Sequence, residues 1–205
     1  MSFSVITNNY PLILASASPR RKRLLTQIGL PFRSVKSKVT EKDQIGDPTV
    51  TSRSLAEQKA CQVYSSHDNF WVLGADTVVV IGNNILGKPG DKEEARYMLE
   101  LLSGKEHRVV TGFCILNPSG KVALSEAVTT LVRIKKLTEQ EIDLYIATGE
   151  PYGKAGSYAI QEIGSFMVEG ITGSYTNVVG LPLCALIKAL IAVGCLGRFP
   201  LPSNL

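Results

Sequence analysis

The 205 residues are enough for one domain, or two closely joined lobes, with a substantial core. The composition, 44% hydrophobic and 20% charged, is typical of a soluble globular protein. The net charge of +4 would help to attract a nucleotide, but it is too modest and too dispersed for a basic nucleic-acid-binding tail.

The cysteines and the apolar stretches exclude further classes of protein. No two of the four cysteines have CxxC spacing, so we expect no zinc site. Residues 1–10 are polar and lack the apolar core of a secretory signal, so we expect reduced thiols and a cytoplasmic location. The apolar stretch 181–196 contains Lys188 and is short for a membrane span, which favours a buried helix. We therefore expect neither a membrane nor a nucleic-acid partner.

The first predicted elements are a strand and the helix that follows it. Residues 12–15 form an apolar run typical of a buried strand, and Ser18 followed by Pro19 is a typical helix start. Arg20 and Arg21 come next. Free N–H groups at a helix N-terminus and two guanidinium groups attract anions, so the segment predicts a polyphosphate site. A solvated basic helix is the alternative interpretation.

An acid interrupts the most apolar strand of the sequence. A valine-rich strand is predicted over residues 71–81, and a helix over 51–65 precedes it. Asp76 in this strand would be costly to bury unpaired, which favours a metal ligand, a general base or the partner of a cation. An acid that hydrogen-bonds a turn is the alternative. Lys59 in the preceding helix and Lys88 after the next turn are the candidate cations, although either would more often be solvated. Gly74 and Ala75 are small, and we expect them to leave room for a ligand.

The rest of the chain alternates helices and strands. Asp91 with Glu94, and Thr138 with Glu141, have the spacing of capping boxes and predict two helix starts. The remaining elements are predicted strands at 108–116, 122–134, 156–161 and 165–171, and a last helix at 181–193. This order favours an α/β fold with a mixed sheet.

Short motifs spread along the chain resemble, in order, those of the Maf family of nucleoside triphosphate pyrophosphatases. The matching stretches are residues 14–21, 55–60, 74–79, 87–89, 102–105, 149–151, 154–158, 160–161, 173–175 and 177–182. The resemblance implies a Maf/Ham1 (ITPase-like) fold: a long, bent mixed sheet flanked by helices, with a central cleft between two lobes. It implies a single domain with its core at about 12–195, and we expect 196–205 to be a loose tail.

The resemblance also implies an activity and its residues. A nucleoside triphosphate would be hydrolysed to the monophosphate and pyrophosphate with the aid of a divalent cation, Mg²⁺, Mn²⁺ or Co²⁺. The residues that would bind the phosphates are Ser16, Arg20, Arg21, Lys59 and Lys88. Asp76 would accept the proton of the attacking water and bind the metal. Glu41 is the expected second metal ligand, with Asp43 as the alternative.

Three positions resemble those of the dTTP/UTP pyrophosphatase branch: Arg20, Thr77 and Gln161. An amide at Gln161 can both donate to and accept from a uracil or thymine ring. Glu162 stands where this branch more usually has glycine. The alternatives are a 7-methyl-GTP pyrophosphatase, or a nucleotide-binding regulator of cell division with little turnover. The presence of Asp76 together with both lysines favours catalysis. The oligomeric state is left open, with a homodimer as one possibility.

Overall fold

A seven-stranded mixed sheet runs through residues 3–39 and 46–201, which are the part of the chain that the computed structural model describes. Its strands are β1 (Leu12–Leu14), β2 (Phe32–Ser34), β3 (Val72–Ile81), β4 (Asn84–Leu86), β5 (Glu106–Leu116), β6 (Val122–Ile134) and β7 (Val168–Thr172). The order in space is β2-β1-β3-β5-β6-β7, and β4 pairs with β3. β1 is parallel to β2 and β3 while the other pairs are antiparallel, which confirms the predicted mixed sheet.

Helices flank this sheet, and three of the six described helices begin within one residue of their predicted starts. They are α1 (Pro19–Gln27), α2 (Pro48–Tyr64), α3 (Lys92–Leu102), α4 (Glu139–Ala147), α5 (Tyr175–Val179) and α6 (Leu183–Ala192). Thr138 and Glu141 form the predicted capping box. At α3 only half of the box forms: Asp91 accepts from the Glu94 amide, but Glu94 accepts from the amide of Gly90. In the described residues no helix combines the length and apolar character needed to cross a membrane.

The predicted strand at 156–161 is wrong. A short 3-10 turn covers Ala155–Ser157, residues 158–162 have no regular structure, and a second 3-10 turn covers Ile163–Met167. Gly156 and Ser157 have φ of +69° and +62°, which an extended strand does not allow. The following prediction, 165–171, is confirmed only in its second half, by β7.

The C-terminal segment is packed more closely than the sequence predicts. Leu196 is 2% exposed, and the partly buried Phe199 and Leu201 pack against the same core cluster. Burial of these apolar side chains stabilises the segment, so residues 196–201 are not a loose tail. Residues 202–205 lie outside the described part of the chain.

Two main apolar cores lie along the sheet. One contains residues of β1, α1 and α6, and the other contains residues of α3, α4 and the later part of β3. β1 pairs with the start of β3 at 72–73 and β4 pairs with its end at 79–81, both on the edge away from β5. In the described residues no strand pairs with this edge between the two, and Asp76 lies in that interval.

Candidate active site

A cavity of about 390 Å³ opens between the two cores, and the predicted site residues converge on it. Its lining includes Val179 of the first core and Val79 of the second, in agreement with the expected cleft between two lobes. Its volume is within the usual range for small-molecule sites. The predicted residues that line it are Ser16, Arg20, Arg21, Lys59, Asp76, Thr77, Lys88 and Gln161.

The Asp76 carboxylate and the Lys59 ammonium form a buried ion pair. Lys59 Nζ lies 2.5 Å from Asp76 Oδ1, and the two residues are 7% and 3% exposed. Asp76 Oδ2 is buried and accepts no hydrogen bond from any described residue. Because a buried oxygen without a donor is costly, this atom is suited to accept a proton or bind a cation from a ligand in the cavity.

Two glycines of the sheet explain how α2 brings Lys59 to Asp76. A Cβ at Gly74 would lie 1.9 Å from the carbonyl oxygen of Ala56, and one at Gly112 would lie 2.4 Å from the carbonyl carbon of Ser52. The backbone of α2 therefore rests directly on β3 and β5. Gly74 makes room for this helix and not for a ligand, so that expectation is wrong.

The guanidinium of Arg21 is fixed by three elements. Its Nε donates to the carbonyl oxygen of Gly180 at 2.8 Å, and its two terminal nitrogens donate to Thr77 Oγ1 at 3.1 Å and Ser16 Oγ at 3.3 Å. Ser18 caps α1 by accepting from the Arg21 amide. The N-terminus of α1 and the charged end of Arg21 are thus both held at the cavity, where they favour an anion.

The neighbouring Arg20 reaches the far wall of the cavity. Its guanidinium donates to the carbonyl oxygen of Gly153 at 3.4 Å. Burial lowers the pKa of Arg20, while the charge of Glu162 opposes that shift. A cation that is partly desolvated in this way gains from a nearby anion, which a phosphate group would supply.

A series of buried, hydrogen-bonded polar side chains supports Arg21 through Thr77, and the sequence analysis does not predict it. Thr77 Oγ1 lies 2.9 Å from Thr111 Oγ1, which donates to the carbonyl oxygen of Asn177 at 3.1 Å. The Asn177 amide in turn donates to the Val109 carbonyl oxygen and to Thr130 Oγ1, both at 3.0 Å. The sequence signals were polar residues inside apolar strands and motifs that contain Thr77 and Asn177, and neither signal identifies the partners of these side chains.

Gln161 lies on the opposite wall, in the irregular segment. Its Oε1 atom is buried and has no hydrogen-bond donor among the described residues. Ile160 also lines the cavity, so alternate residues do not face opposite sides as they would in a strand.

Nearby, Tyr158 lines the cavity and its hydroxyl lies 2.8 Å from His107 Nε2. Burial lowers the pKa of His107 to about 4, so its ring is neutral near pH 7.

The described residues offer one carboxylate to a metal in this cavity. Asp76 is the only acidic residue among the lining residues of the described chain, and no group of three or more His, Cys, Asp or Glu side chains in that part is placed to hold a metal. The predicted second ligand, Glu41, and its alternative Asp43 lie outside the described residues. A single carboxylate with an unused oxygen fits Mg²⁺-type binding, in which substrate phosphates supply further ligands.

Comparison with known proteins identifies the family. The profile of the Maf family, described as Maf-like protein, matches residues 11–193. The dTTP/UTP pyrophosphatase of Ruminiclostridium cellulolyticum is 48% identical, over 84% of this chain and 90% of its own length. Those of Citrifermentans bemidjiense and Halalkalibacterium halodurans are 48% and 46% identical, over 93% and 92% of this chain and 99% of each relative. This chain belongs to the Maf family.

Proposed function

We propose that this protein hydrolyses dTTP and UTP to the nucleoside monophosphate and pyrophosphate. The observation that carries the proposal is the buried Lys59–Asp76 pair, whose second carboxylate oxygen is without a donor at a cavity bordered by cations. The printed names of the relatives support the choice of reaction and of pyrimidine nucleotides.

The cations of the cavity bind the triphosphate. Arg21 is held in a fixed orientation by Gly180, Thr77 and Ser16, so its fork is ready for phosphate oxygens with little loss of side-chain freedom. Arg20 approaches from the other wall, and Lys88 borders the same space. Fixed positive groups of this kind stabilise the negative charge that develops on the phosphoryl oxygens in the transition state.

Asp76 acts as the general base. Its Oδ2 accepts a proton from water, whose oxygen bonds to the α-phosphorus while the bond from that phosphorus to the α–β bridging oxygen breaks. Pyrophosphate leaves with the electron pair of the broken bond. Lys59 on Oδ1 compensates the charge of a carboxylate that would otherwise be costly to bury.

A divalent cation is part of the proposal, and the residues present fit one. The Asp76 carboxylate and the phosphate oxygens of the substrate would hold it, with Glu41 as a second protein ligand proposed from the sequence. When bound, the ion would neutralise phosphate charge and polarise the phosphoryl oxygens. The cations described above carry part of the same task without it.

Base selection is assigned to Gln161, with Thr77 and Arg20 shaping the site around it. The buried Oε1 of Gln161 would accept the N3–H of uracil or thymine, and its amide nitrogen would donate to O4. Guanine carries the same adjacent N–H and C=O groups on a larger two-ring base, so discrimination depends on where the Gln161 amide is held relative to the base and not on the type of hydrogen bond.

The proposed location is the cytoplasm. The four cysteines are free thiols, two of them exposed, as is usual for proteins of a reducing compartment. A homodimer stays a prediction from the sequence.

The direct test is to incubate the purified protein with UTP, dTTP, CTP, GTP and 7-methyl-GTP, each with Mg²⁺, Mn²⁺ or Co²⁺, in water enriched in ¹⁸O. We expect UMP and dTMP to form fastest, with pyrophosphate as the other product and the label in the monophosphate. Release of orthophosphate and a diphosphate would contradict the proposed reaction. Faster cleavage of 7-methyl-GTP would contradict the proposed substrates.

A further inference from the structure

The cavity wall that carries Gln161 lacks the hydrogen bonds of a helix or strand. Residues 158–162 have no regular structure, yet Tyr158, Ala159, Ile160 and Gln161 all border the cavity. A side chain that must align two hydrogen bonds with a base needs a fixed backbone. The positions of these residues therefore depend on contacts from elsewhere in the chain.

Tyr145 and Glu150 supply those contacts. The Tyr145 hydroxyl donates to Glu150 Oε1 at 2.9 Å and accepts from the Ala159 amide at 3.2 Å. The Glu150 carboxylate also accepts from the amides of Gly164, on Oε1, and Ile163, on Oε2, both at 2.9 Å. Both ends of segment 159–164 are thus tied to one side-chain pair, which we call the Tyr145–Glu150 clamp.

The residues around the Tyr145–Glu150 clamp pack closely, and the Tyr145 side chain is held in the core. Tyr145 is 2% exposed and belongs to the second core, so its hydroxyl is a fixed point. A Cβ at Gly164 would lie 2.7 Å from both the Tyr145 hydroxyl oxygen and the Ala159 carbonyl oxygen, so only glycine allows this approach. The carbonyl oxygen of Glu150 also accepts from Lys154 Nζ at 2.6 Å, and Lys154 borders the cavity.

We propose that the Tyr145–Glu150 clamp is a specificity device: it positions Gln161 for base selection without touching the nucleotide itself. This inference rests on the proposed function, in which Gln161 contacts the base. Neither Tyr145 nor Glu150 is among the described residues that line the cavity, so both act through the segment they hold. The clamp has no contact with Lys59 or Asp76 in the described hydrogen bonds, and loosening it leaves the proposed general base in place.

The test compares Tyr145→Phe with Tyr64→Phe. Tyr145→Phe keeps the ring in the core and removes the hydroxyl that joins Ala159 to Glu150. Tyr64→Phe removes a comparable hydroxyl bond, 3.0 Å long to the Pro118 carbonyl oxygen, at a residue that does not line the cavity. Hydrogen exchange is followed at the amides of Ala159, Ile163 and Gly164, and kcat and KM are measured for UTP and GTP.

We expect Tyr145→Phe to speed hydrogen exchange at the amides of Ala159, Ile163 and Gly164 by about tenfold or more. Hydrogen exchange at the amides of β3 should not change. The UTP-over-GTP ratio of kcat/KM should fall by about fivefold, the loss expected for one hydrogen bond, mainly through KM for UTP. Glu150→Gln, which keeps one acceptor oxygen, should lower the ratio less than Glu150→Ala. Tyr64→Phe should change neither quantity.

The outcomes separate this inference from the proposed function. A wild-type protein without a preference for UTP over GTP would contradict the proposed function, and the specificity role of the clamp would fall with it. If wild type prefers UTP and Tyr145→Phe keeps that preference, the clamp inference alone is overturned. Unchanged amide exchange in Tyr145→Phe would also overturn it, whatever the kinetics.

Discussion

Lys59 Nζ lies 2.5 Å from Asp76 Oδ1, and this contact joins α2 to β3 in the lining of the cavity. The two residues are 17 positions apart in sequence, and both are almost fully buried. One carboxylate oxygen is thereby committed to the protein, and the other is available to a ligand.

Replacing Lys59 by Met should destabilise the protein strongly. The substitution leaves the Asp76 charge buried without its ammonium partner, and breaking a buried pair in this way costs about 3–5 kcal/mol. Urea unfolding gives the change in free energy, with Lys188→Met, at an exposed position of α6, as the control. The double variant Lys59→Met/Asp76→Asn should recover part of the loss. Additive effects of the two substitutions would argue against the pairing.

Gly74→Ala should disturb the site from outside the cavity lining. The added methyl group would meet the Ala56 carbonyl oxygen, so α2 must move away from β3 and take Lys59 with it. Overpacking of this kind costs about 1–3 kcal/mol of stability, and we expect kcat to fall as well. Gly170→Ala in β7 is the matched control, because nothing lies within 4 Å of a Cβ there. Equal effects of the two substitutions would show that the close approach of α2 is unimportant.

Arg21→Lys should lower kcat/KM although the charge is kept. Lysine cannot reproduce the guanidinium fork that contacts Gly180, Thr77 and Ser16, and a charge-assisted contact contributes roughly 1.5–3 kcal/mol. Arg23→Lys, at an exposed position of the same helix, is the control and should change little. Steady-state kinetics with UTP decide the matter. An Arg21→Lys variant with wild-type kcat/KM would contradict the proposed role of Arg21 in binding the phosphates.

Gln161→Glu should reduce activity on UTP and dTTP more than on GTP. A carboxylate has only acceptors, so it would face O4 of the pyrimidine without a donor, at a cost of about 1–3 kcal/mol in discrimination. Gln140→Glu, at an exposed position of α4, controls for the added charge. Ratios of kcat/KM that do not differ from wild type would mean that Gln161 does not contact the base.

Local signals account for the elements that the sequence predicts well. Ser18 and Pro19 mark the start of α1, Thr138 and Glu141 mark that of α4, and the valine-rich run marks β3, because caps and apolar periodicity act over a few residues. The isolated acid in β3 is likewise visible in the sequence, since an unpaired buried carboxylate is costly wherever it occurs.

Long-range contacts account for what the sequence does not predict. The sequence predicts a strand at 156–161, but the positive φ angles of Gly156 and Ser157 and the hydrogen bonds of the Glu150 carboxylate to Ile163 and Gly164 give the backbone another path. Gly74 is visibly small, yet only the fold reveals that a helix backbone occupies the space beside it. The hydrogen bonds from Thr77 through Thr111 to Asn177 join three separate elements, and no local pattern specifies such partners.

The central claim is that Asp76 is the general base of a nucleotide pyrophosphatase, and Asp76→Asn tests it most directly. The measurement is kcat for UTP beside the Kd of non-hydrolysable α,β-imido-UTP, with the exposed Asp68→Asn as control. The account predicts a fall in kcat of about 10²–10⁴-fold, as for loss of a general base, with Kd little changed. A variant that keeps near-wild-type kcat would contradict it.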